Sequence, residues 1–215
     1  LQAIGISLST SLISTSLVVT FGTPLSLVLA RKNLRFKRIL DTLIDLPAVL
    51  PPAVAGLALL LAFGRRGSVG APLADLGITL AFTPLAVVLA QVFVAAPFYI
   101  KSAAAGFAAV DEELQQAAAL DGASRWKIFR YITAPLAWSA VLGGAVMTWA
   151  RALGEFGATI IFAGNFTGRT QTMPLAIYLG LELSVDVALT LSLVLIGLSF
   201  LALLVVKGLL HREWR

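Results

Sequence analysis

The chain has 215 residues, of which 59% are hydrophobic and only 13% are charged. A mean hydropathy of +0.93 excludes an ordinary soluble globular domain and predicts an integral membrane protein. Cysteine is absent, which excludes disulfides and thiolate metal sites. The net charge of +5 comes from basic residues clustered between long apolar runs, a pattern typical of membrane topology rather than of nucleic-acid binding.

Residues 1–30 form the first predicted span, because they carry no charge and about twenty apolar residues suffice to cross a bilayer. Their many serines and threonines predict a helix packed against protein rather than against lipid alone. Five basic residues follow within eight positions, namely Arg31, Lys32, Arg35, Lys37 and Arg38. Such a cluster directly after a span indicates the cytoplasmic side, so the first helix is predicted to run from outside to inside.

The second predicted span comprises the nineteen uncharged residues between Asp45 and Arg65. Prolines at positions 47, 51 and 52 stand near its start, where they remove backbone donors and fix φ. We therefore predict a broken or strongly kinked helix there. The glycine-rich segment at 63–70 is predicted to be an outer loop, since its spacing fits neither phosphate-loop fingerprint.

The third predicted span covers residues 76–100, with Pro84 and Pro97 toward its ends, and Lys101 closes it on the cytoplasmic side. The fifth covers residues 187–206 and returns the C-terminus to the cytoplasm. Four basic residues end the chain there, namely Lys207, His211, Arg212 and Arg215.

The fourth predicted span begins after Arg130 and places Pro135 in its first turn, where a missing N–H costs least. It continues to Arg151 and Glu155, whose i, i+4 spacing predicts a pair on one face of one helix. Charges inside a span usually face the bundle interior or a water-filled path. A structural ion pair and a substrate contact therefore both stay open.

Residues 156–168 are predicted to be the outer end of the fourth helix, followed by an outer loop at 164–172 and a short interfacial helix from Pro174. Small residues in this region are expected to let helices approach and slide, namely Gly143, Gly144, Gly154 and Gly157.

The segment 109–135 is a charged, amphipathic island that predicts a helix, a turn and a second helix. Asp111 can accept backbone N–H bonds as an N-cap, Gly122 can take the left-handed conformation that ends the first helix, and Ser124 can cap the second. The alanines at 117–118 leave a flat surface suited to docking against another protein. On these local features alone, a docking element and a solvated loop between membrane helices are equally supported.

The spacing within this island resembles the cytoplasmic loop of ATP-binding-cassette importer permeases, in which Glu-Ala-Ala is followed by three residues and Gly, then by nine residues and Ile-x-Leu-Pro. Here Gln116 stands at the Glu position, Gly122 at the Gly and Ala134 at the Leu. The resemblance implies a coupling helix, within a cytoplasmic loop of about 101–134, that docks into a separate ATPase subunit. The residues to which it assigns this role are Asp111, Gln116, Ala117, Ala118, Asp121, Gly122, Arg125 and Pro135.

Four further blocks are similar to the molybdate permease family: FGTPL at 21–25, LPAVLPPAVAG at 46–56, FGRRGSVG at 63–70 and RALGEFGATIIFAGNFTGRTQTMPLAIY at 151–178. Sulfate and thiosulfate permeases share the LGEFGA core at 153–158. The resemblance implies an all-α integral membrane protein with about five transmembrane helices, in which residues 1–215 form one permease domain. Some members carry one more N-terminal helix, which fits a chain that starts at Leu1 instead of Met.

The same resemblance implies a homodimer with a path along its two-fold axis, two cytoplasmic ATP-binding subunits and a periplasmic oxyanion-binding protein. The complex is expected in the inner (plasma) membrane, in contact with lipid, with the N-terminus of this chain outside. We expect no catalytic residue, cofactor, metal or nucleic acid. The in-membrane candidates for the path are Arg151, Gly154, Glu155 and Phe156.

Molybdate and tungstate are both tetrahedral dianions, so we expect the soluble receptor to choose between them. The runner-up is a sulfate or thiosulfate permease subunit. A membrane scaffold without transport is a further alternative, and it predicts no dependence on ATP hydrolysis. A membrane-embedded enzyme is disfavoured, because the spans contain no Ser/His/Asp or paired-carboxylate arrangement for acid–base work.

Overall fold

A computed structural model describes residues 2–31 and 35–212, with the side chains of 2–31 and 35–208. Within these ranges the regular structure is helical, without strands, so the all-α prediction is confirmed. The helices are α1 (Gln2–Leu29), α2 (Lys37–Val49), α3 (Pro52–Phe63), α4 (Gly70–Asp75), α5 (Pro84–Ala108), α6 (Glu112–Leu120), α7 (Arg125–Ile128), a π-helical turn (Phe129–Thr133), α8 (Ala134–Leu136), α9 (Trp138–Leu153), α10 (Gly157–Phe162), α11 (Met173–Leu183) and α12 (Val185–Arg212). The predicted basic residues Lys32 and Arg215 lie outside the described residues.

Three of these helices are long and apolar enough to cross a membrane, namely α1, α5 and residues 185–208 of α12. Two bent pairs raise the number to five if each pair is one span: α2 with α3, and residues 125–136 with α9. The prediction of about five spans agrees with this arrangement, but two of the five are strongly bent.

The central helix of the bundle is α5, which packs against both α1 and α9. The predicted packing of the first helix against protein is confirmed by its hydroxyl groups. The Ser14 Oγ lies 3.2 Å from the Val88 carbonyl oxygen, and the Ser26 Oγ donates to the Ile100 carbonyl at 3.1 Å. Because both hydroxyls are fully buried, these contacts fix the C-terminal half of α1 against α5.

The second predicted span is broken, as its prolines predict. α2 and α3 are bent by 112° relative to each other around Pro51. The predicted bounds are wrong, because α2 begins at Lys37 and contains Asp41 and Asp45, which both pair with Lys101 of α5. α3 has only 12 residues, a length of about 18 Å, which falls short of the roughly 30 Å of a bilayer core.

The third span begins later than predicted. Residues 76–83 are not helical, and α5 starts at Pro84, whose fixed φ suits the first helical position. The Thr83 Oγ1 accepts a hydrogen bond from the Ala86 N–H at 3.3 Å and caps this helix. α5 then continues through Lys101 instead of ending there.

The fourth predicted helix is divided into several segments. A 71° bend precedes Trp138, and α9 ends at its C-cap, Gly154. Glu155 therefore lies beyond the helix, and the prediction that it shares one helix with Arg151 is wrong. The assignment of 156–168 to the same helix is also wrong, because α10 is a separate helix that packs against α3.

The short helix predicted from Pro174 is confirmed as α11, which begins at Met173. Its Met173 and Leu175 side chains are fully buried, because α11 packs against α12 and α1. One face of α11 therefore belongs to the protein core. After Ser184, α12 extends beyond the predicted limits of 187–206 at both ends.

A glycine on α9 permits its close contact with α5. A Cβ at Gly144 would lie 2.8 Å from the Ser102 Cβ, and the Ser102 Oγ donates to the Ala140 carbonyl at 2.7 Å. A Cβ at Gly143, by contrast, would meet nothing within 4 Å. The expectation that glycines let these helices approach is therefore confirmed for Gly144 and not for Gly143.

We expect Gly144→Val to lower the free energy of unfolding by about 1–3 kcal/mol, the usual cost of overpacking. Gly143→Val is the matched control, because it adds the same side chain one residue away in open space. It is expected to change stability by less than about 0.5 kcal/mol. Unfolding of the detergent-solubilised chain in dodecyl sulfate measures both, and equal losses would contradict the close contact at Gly144.

Candidate coupling surface and in-membrane site

The predicted coupling helix is α6, and its N-terminal end forms as the local sequence dictates. Asp111 is the N-cap, and its Oδ1 accepts from the Glu113 N–H at 2.9 Å. Glu112 and Glu113 lie in the first turn, where negative charge complements the helix dipole. Ser124 likewise caps α7 by accepting from the Lys127 N–H at 3.4 Å. The predicted helix, turn and helix are therefore confirmed.

The C-terminal end of α6 forms a Schellman motif around its glycine. Gly122 has a φ of +83°, in the left-handed region that favours glycine. The Ala123 N–H donates to the Ala118 carbonyl at 3.0 Å, and the Gly122 N–H donates to the Ala119 carbonyl at 3.1 Å. These two bonds satisfy carbonyls that the helix end would leave unpaired, so Gly122 ends α6 as predicted.

None of the residues of α6 is buried, and its large apolar side chains are exposed. Leu114 is 51% exposed and Leu120 is 89% exposed, with Ala117 exposed between them, while Trp126 of the neighbouring α7 is 66% exposed. Exposed apolar side chains beside small residues are typical of a protein-docking surface. Sequence reasoning missed Leu114, Leu120 and Trp126, since apolar spacing on a helix normally predicts a buried face.

An open groove of about 1130 Å³ separates α6 from the ends of α1 and α5. Asp111, Gln116 and Arg125 line it, so these three predicted coupling residues face the groove. The Ala117 and Gly122 positions lie outside its lining. Pro135, another predicted coupling residue, is not on α6 but in α8, directly before the bend that leads into α9.

Aromatic contacts attach this region to the membrane helices. The ring of Phe107, near the end of α5, lies 6.2 Å from the ring of Phe129 in the π-helical turn. The Trp126 and Phe129 ring centroids are 5.6 Å apart. Because α5 and α9 are themselves in close contact at Gly144, the α6–α7 region is joined by packed contacts to both of these spans.

The predicted in-membrane pair forms although its two residues do not share a helix. The Arg151 Nη1 lies 2.6 Å from the Glu155 Oε2, and the Glu155 side chain is only 1% exposed, against 30% for Arg151. The other carboxylate oxygen of Glu155 accepts from the Ala158 N–H at 2.8 Å. Glu155 thus joins the end of α9 to the start of α10 by two charge-assisted bonds.

The other two in-membrane candidates differ in their surroundings. The Phe156 ring lies 5.4 Å from the Tyr178 ring of α11, whereas a Cβ at Gly154 would approach nothing closer than the Ala150 carbonyl at 3.6 Å. Among the described residues, Gly154 is therefore not needed for a close contact between helices.

The tightest approach in this region joins α10 to α3. A Cβ at Gly56 would lie 2.7 Å from the Ala158 carbonyl oxygen, and one at Gly157 would clash with Pro52. Sequence reasoning named Gly157 but not Gly56. The partner of Gly56 lies on another helix, and no local sequence pattern identifies it. Both helices are too short to span a bilayer. Such half-length helices are tolerated at membrane depth where they are buried in protein or line a cavity.

A family model described as "Binding-protein-dependent transport system inner membrane component" matches residues 22–212 of the chain. The molybdenum transport system permease protein ModB of Mycobacterium tuberculosis is 44% identical over 202 residues, which cover 94% of this chain and 76% of the relative. ModB of Escherichia coli is 41% identical over 178 residues, or 82% of this chain and 78% of the relative. A probable sulfate transport system permease protein of Chlorokybus atmophyticus is 36% identical over 82% of this chain and 62% of its own length.

Solved structures share the fold at lower sequence identity. An inward-facing MetNI methionine ABC transporter matches with a TM-score of 0.71 and 16% identity, covering 96% of this chain and 94% of the matched chain. A bacterial alginate ABC transporter in complex with an alginate-bound periplasmic protein matches with a TM-score of 0.71 and 19% identity, covering 98% and 76% of the two chains. At these identities the likeness establishes the fold alone.

Proposed function

Because the chain belongs to the family of inner membrane components of binding-protein-dependent transport systems, we propose that this permease subunit passes molybdate or tungstate across the plasma membrane. The 44% identity to a molybdenum permease over 94% of the chain carries this proposal. The lower identity of 36% to a probable sulfate permease favours molybdate over sulfate. Tungstate is included because it has the same tetrahedral shape and the same charge as molybdate.

The working complex we propose contains two copies of this chain, a dimer of cytoplasmic ATP-binding subunits and an extracytoplasmic oxyanion-binding protein. The solved alginate transporter, which was captured with a periplasmic binding protein, supports a receptor on the outer side. Recognition of the anion is assigned to that receptor. The permease itself then needs no tight anion site within its spans.

The surface we assign to the ATPase contact is the exposed side of α6 with Leu114, Ala117 and Leu120. Its two leucine side chains are 51% and 89% exposed, and Gly122 ends the helix two residues after Leu120. ATP binding would close the ATPase subunits and displace α6. The Phe107–Phe129 contact would pass this displacement to α5 and α9.

The membrane path would then alternate between two discrete packings, as alternating access requires. The 112° bend between α2 and α3 and the 71° bend before α9 are the proposed hinges. α3 and α10 would move as one body, because Gly56 and Gly157 allow their backbones to touch. The charge of Arg151 is already engaged by Glu155, so we assign this pair a structural role.

Uptake into vesicles tests the proposed function. The chain is reconstituted with its ATPase and receptor in proteoliposomes, and ATP-dependent accumulation of radiolabelled molybdate is measured with sulfate as competitor. We expect accumulation only with ATP, inhibited by tungstate more than by sulfate. Preferential sulfate accumulation would identify a sulfate permease instead. An assembled complex without ATP-dependent uptake of either anion would favour a non-transporting scaffold.

The proposed orientation predicts which single cysteines an impermeant thiol reagent reaches in intact cells. The chain contains no native cysteine, so each introduced thiol reports one position. Ser68→Cys, exposed in the loop between α3 and α4, is expected to be labelled. Asn33→Cys, at a position outside the described residues, is expected to be protected until the cells are opened. Labelling of Asn33→Cys but not of Ser68→Cys would invert the topology and remove α6 from the ATPase.

A further inference from the structure

α2 has one side that packs on the bundle and one apolar side that does not, and none of its residues is fully buried. One face packs on the bundle, where Leu40 and Ile44 contact the core cluster that contains Ile100. Asp41 and Asp45 extend this face, and each places a carboxylate oxygen 3.0 Å from the Lys101 Nζ. The two carboxylates of α2 therefore share one ammonium group, which attaches the helix to α5 and leaves one net negative charge.

A second face is an apolar stripe without a partner in the described part of the chain. Phe36, Ile39, Leu43 and Leu46 are 63%, 59%, 58% and 47% exposed. Their spacing of three, four and three residues places them on one side of the helix. Thr42, which is exposed, lies on the flank of the stripe, about 100° around the helix from Leu43. An amphipathic helix of this kind, bent by 112° away from the apolar α3, is suited to lying along a membrane surface.

Basic residues surround the N-terminal end of this stripe. Arg35 and Arg38 are exposed, Lys37 is partly exposed, and Arg31 is exposed at the end of α1. Asp41, Asp45 and Lys101 together leave a single net negative charge, which the four basic residues outnumber, so this end of α2 keeps a net positive charge. Anionic lipid headgroups attract such juxtamembrane basic clusters.

We propose that α2 lies in the membrane–water interface at the coupling-helix end of the bundle, with its apolar stripe among the acyl chains. Arg35, Lys37 and Arg38 bind the phosphate groups of anionic phospholipids there. A second copy of this chain fits the surface less well, because the same basic residues would meet near the contact without acidic counterparts. The bound lipid would hold α2 at the surface while α3 moves about the break at Pro51.

Fluorescence quenching by brominated lipids tests this placement without ATPase, receptor or transport, so its outcome is independent of the proposed function. Leu43→Cys is introduced into the full chain, labelled with bimane and reconstituted in vesicles of equal parts phosphatidylcholine and phosphatidylglycerol. Two preparations are compared, one with brominated phosphatidylcholine and one with brominated phosphatidylglycerol. Ile39→Cys is the second stripe position, and Thr42→Cys, about 100° around the helix from Leu43, is the matched control on the exposed flank of the stripe.

We expect strong quenching at Leu43 and Ile39 and weak quenching at Thr42. Phosphatidylglycerol is expected to be preferred by about fivefold or more, the factor for roughly one basic residue at an anionic surface. The Arg35→Gln, Lys37→Gln, Arg38→Gln triple variant should keep the quenching and lose the preference. Quenching without preference in the native sequence would overturn headgroup binding. No quenching at the stripe, with disulfide cross-linking between Leu43→Cys copies, would assign the surface to a second copy instead.

Discussion

Arg151→Gln is expected to destabilise the protein more than Glu155→Gln does. Glu155 is 1% exposed, so removal of the arginine leaves a buried carboxylate whose one remaining partner among the described residues is the Ala158 N–H. Breaking a buried pair in this way costs about 3–5 kcal/mol. Glu155→Gln keeps an oxygen that can accept from Ala158 and leaves an arginine that reaches solvent, so we expect a loss of only about 1–2 kcal/mol. Protein level in membranes and unfolding in dodecyl sulfate measure the difference.

The double replacement of Arg151 and Glu155 by Gln separates the two roles that the pair can have. If the pair is structural, as we propose, the double variant regains both protein level and uptake. A stable double variant without uptake would instead place Arg151 on the anion path. The control Arg151→Gln, Glu155→Leu also lacks the acceptor for Ala158 and is expected to be about 1 kcal/mol less stable than the double Gln variant. Full stability of Arg151→Gln alone would contradict the buried pair.

The features of the fold that the sequence predicted correctly depend on local chemistry. The break at Pro51 follows from prolines that remove donors, and the caps at Asp111, Gly122 and Ser124 follow from side chains and backbone within a few residues. The late start of α5 was equally local, because Pro84 has no N–H to donate to a preceding turn and its fixed φ favours the first helical position. Hydropathy alone extended that span to residue 76, since it does not register this restriction.

The features that the sequence did not predict depend on contacts between distant segments. Spacing suggested one helix through Arg151 and Glu155. In the structure Gly154 ends α9, and the Glu155 carboxylate accepts a hydrogen bond from the first turn of the next helix, α10. The contact of Gly56 with α10 brings together residues about 100 positions apart, which no local pattern specifies. The exposure of Leu120 has a different cause. Under the proposed function α6 docks on another subunit, and such a helix has the same apolar pattern as one that packs on its own chain.

Gly122→Arg is expected to abolish ATP-dependent uptake while the chain still folds and reaches the membrane. A Cβ at Gly122 would meet nothing within 4 Å, so the main cost inside the chain comes from the φ of +83°. For a residue other than glycine that conformation costs roughly 1–2 kcal/mol. The new side chain would project from the exposed end of α6 beside Leu120, on the surface that we assign to the ATPase.

Gly77→Arg provides the matched control for this loss of uptake. Gly77 has a φ of +77°, is exposed and has nothing within 4 Å of its Cβ position, so the variant introduces the same charge and similar backbone strain. It lies in the connection between α4 and α5, on the side proposed to face outward. We expect uptake within about twofold of the native level for Gly77→Arg and at least about tenfold lower for Gly122→Arg, which corresponds to 1.4 kcal/mol or more of lost coupling. Co-purification of the ATPase should fall in the Gly122 variant alone. Equal losses in both would attribute the effect to strain, and normal uptake with the ATPase bound to Gly122→Arg would remove the coupling role from α6.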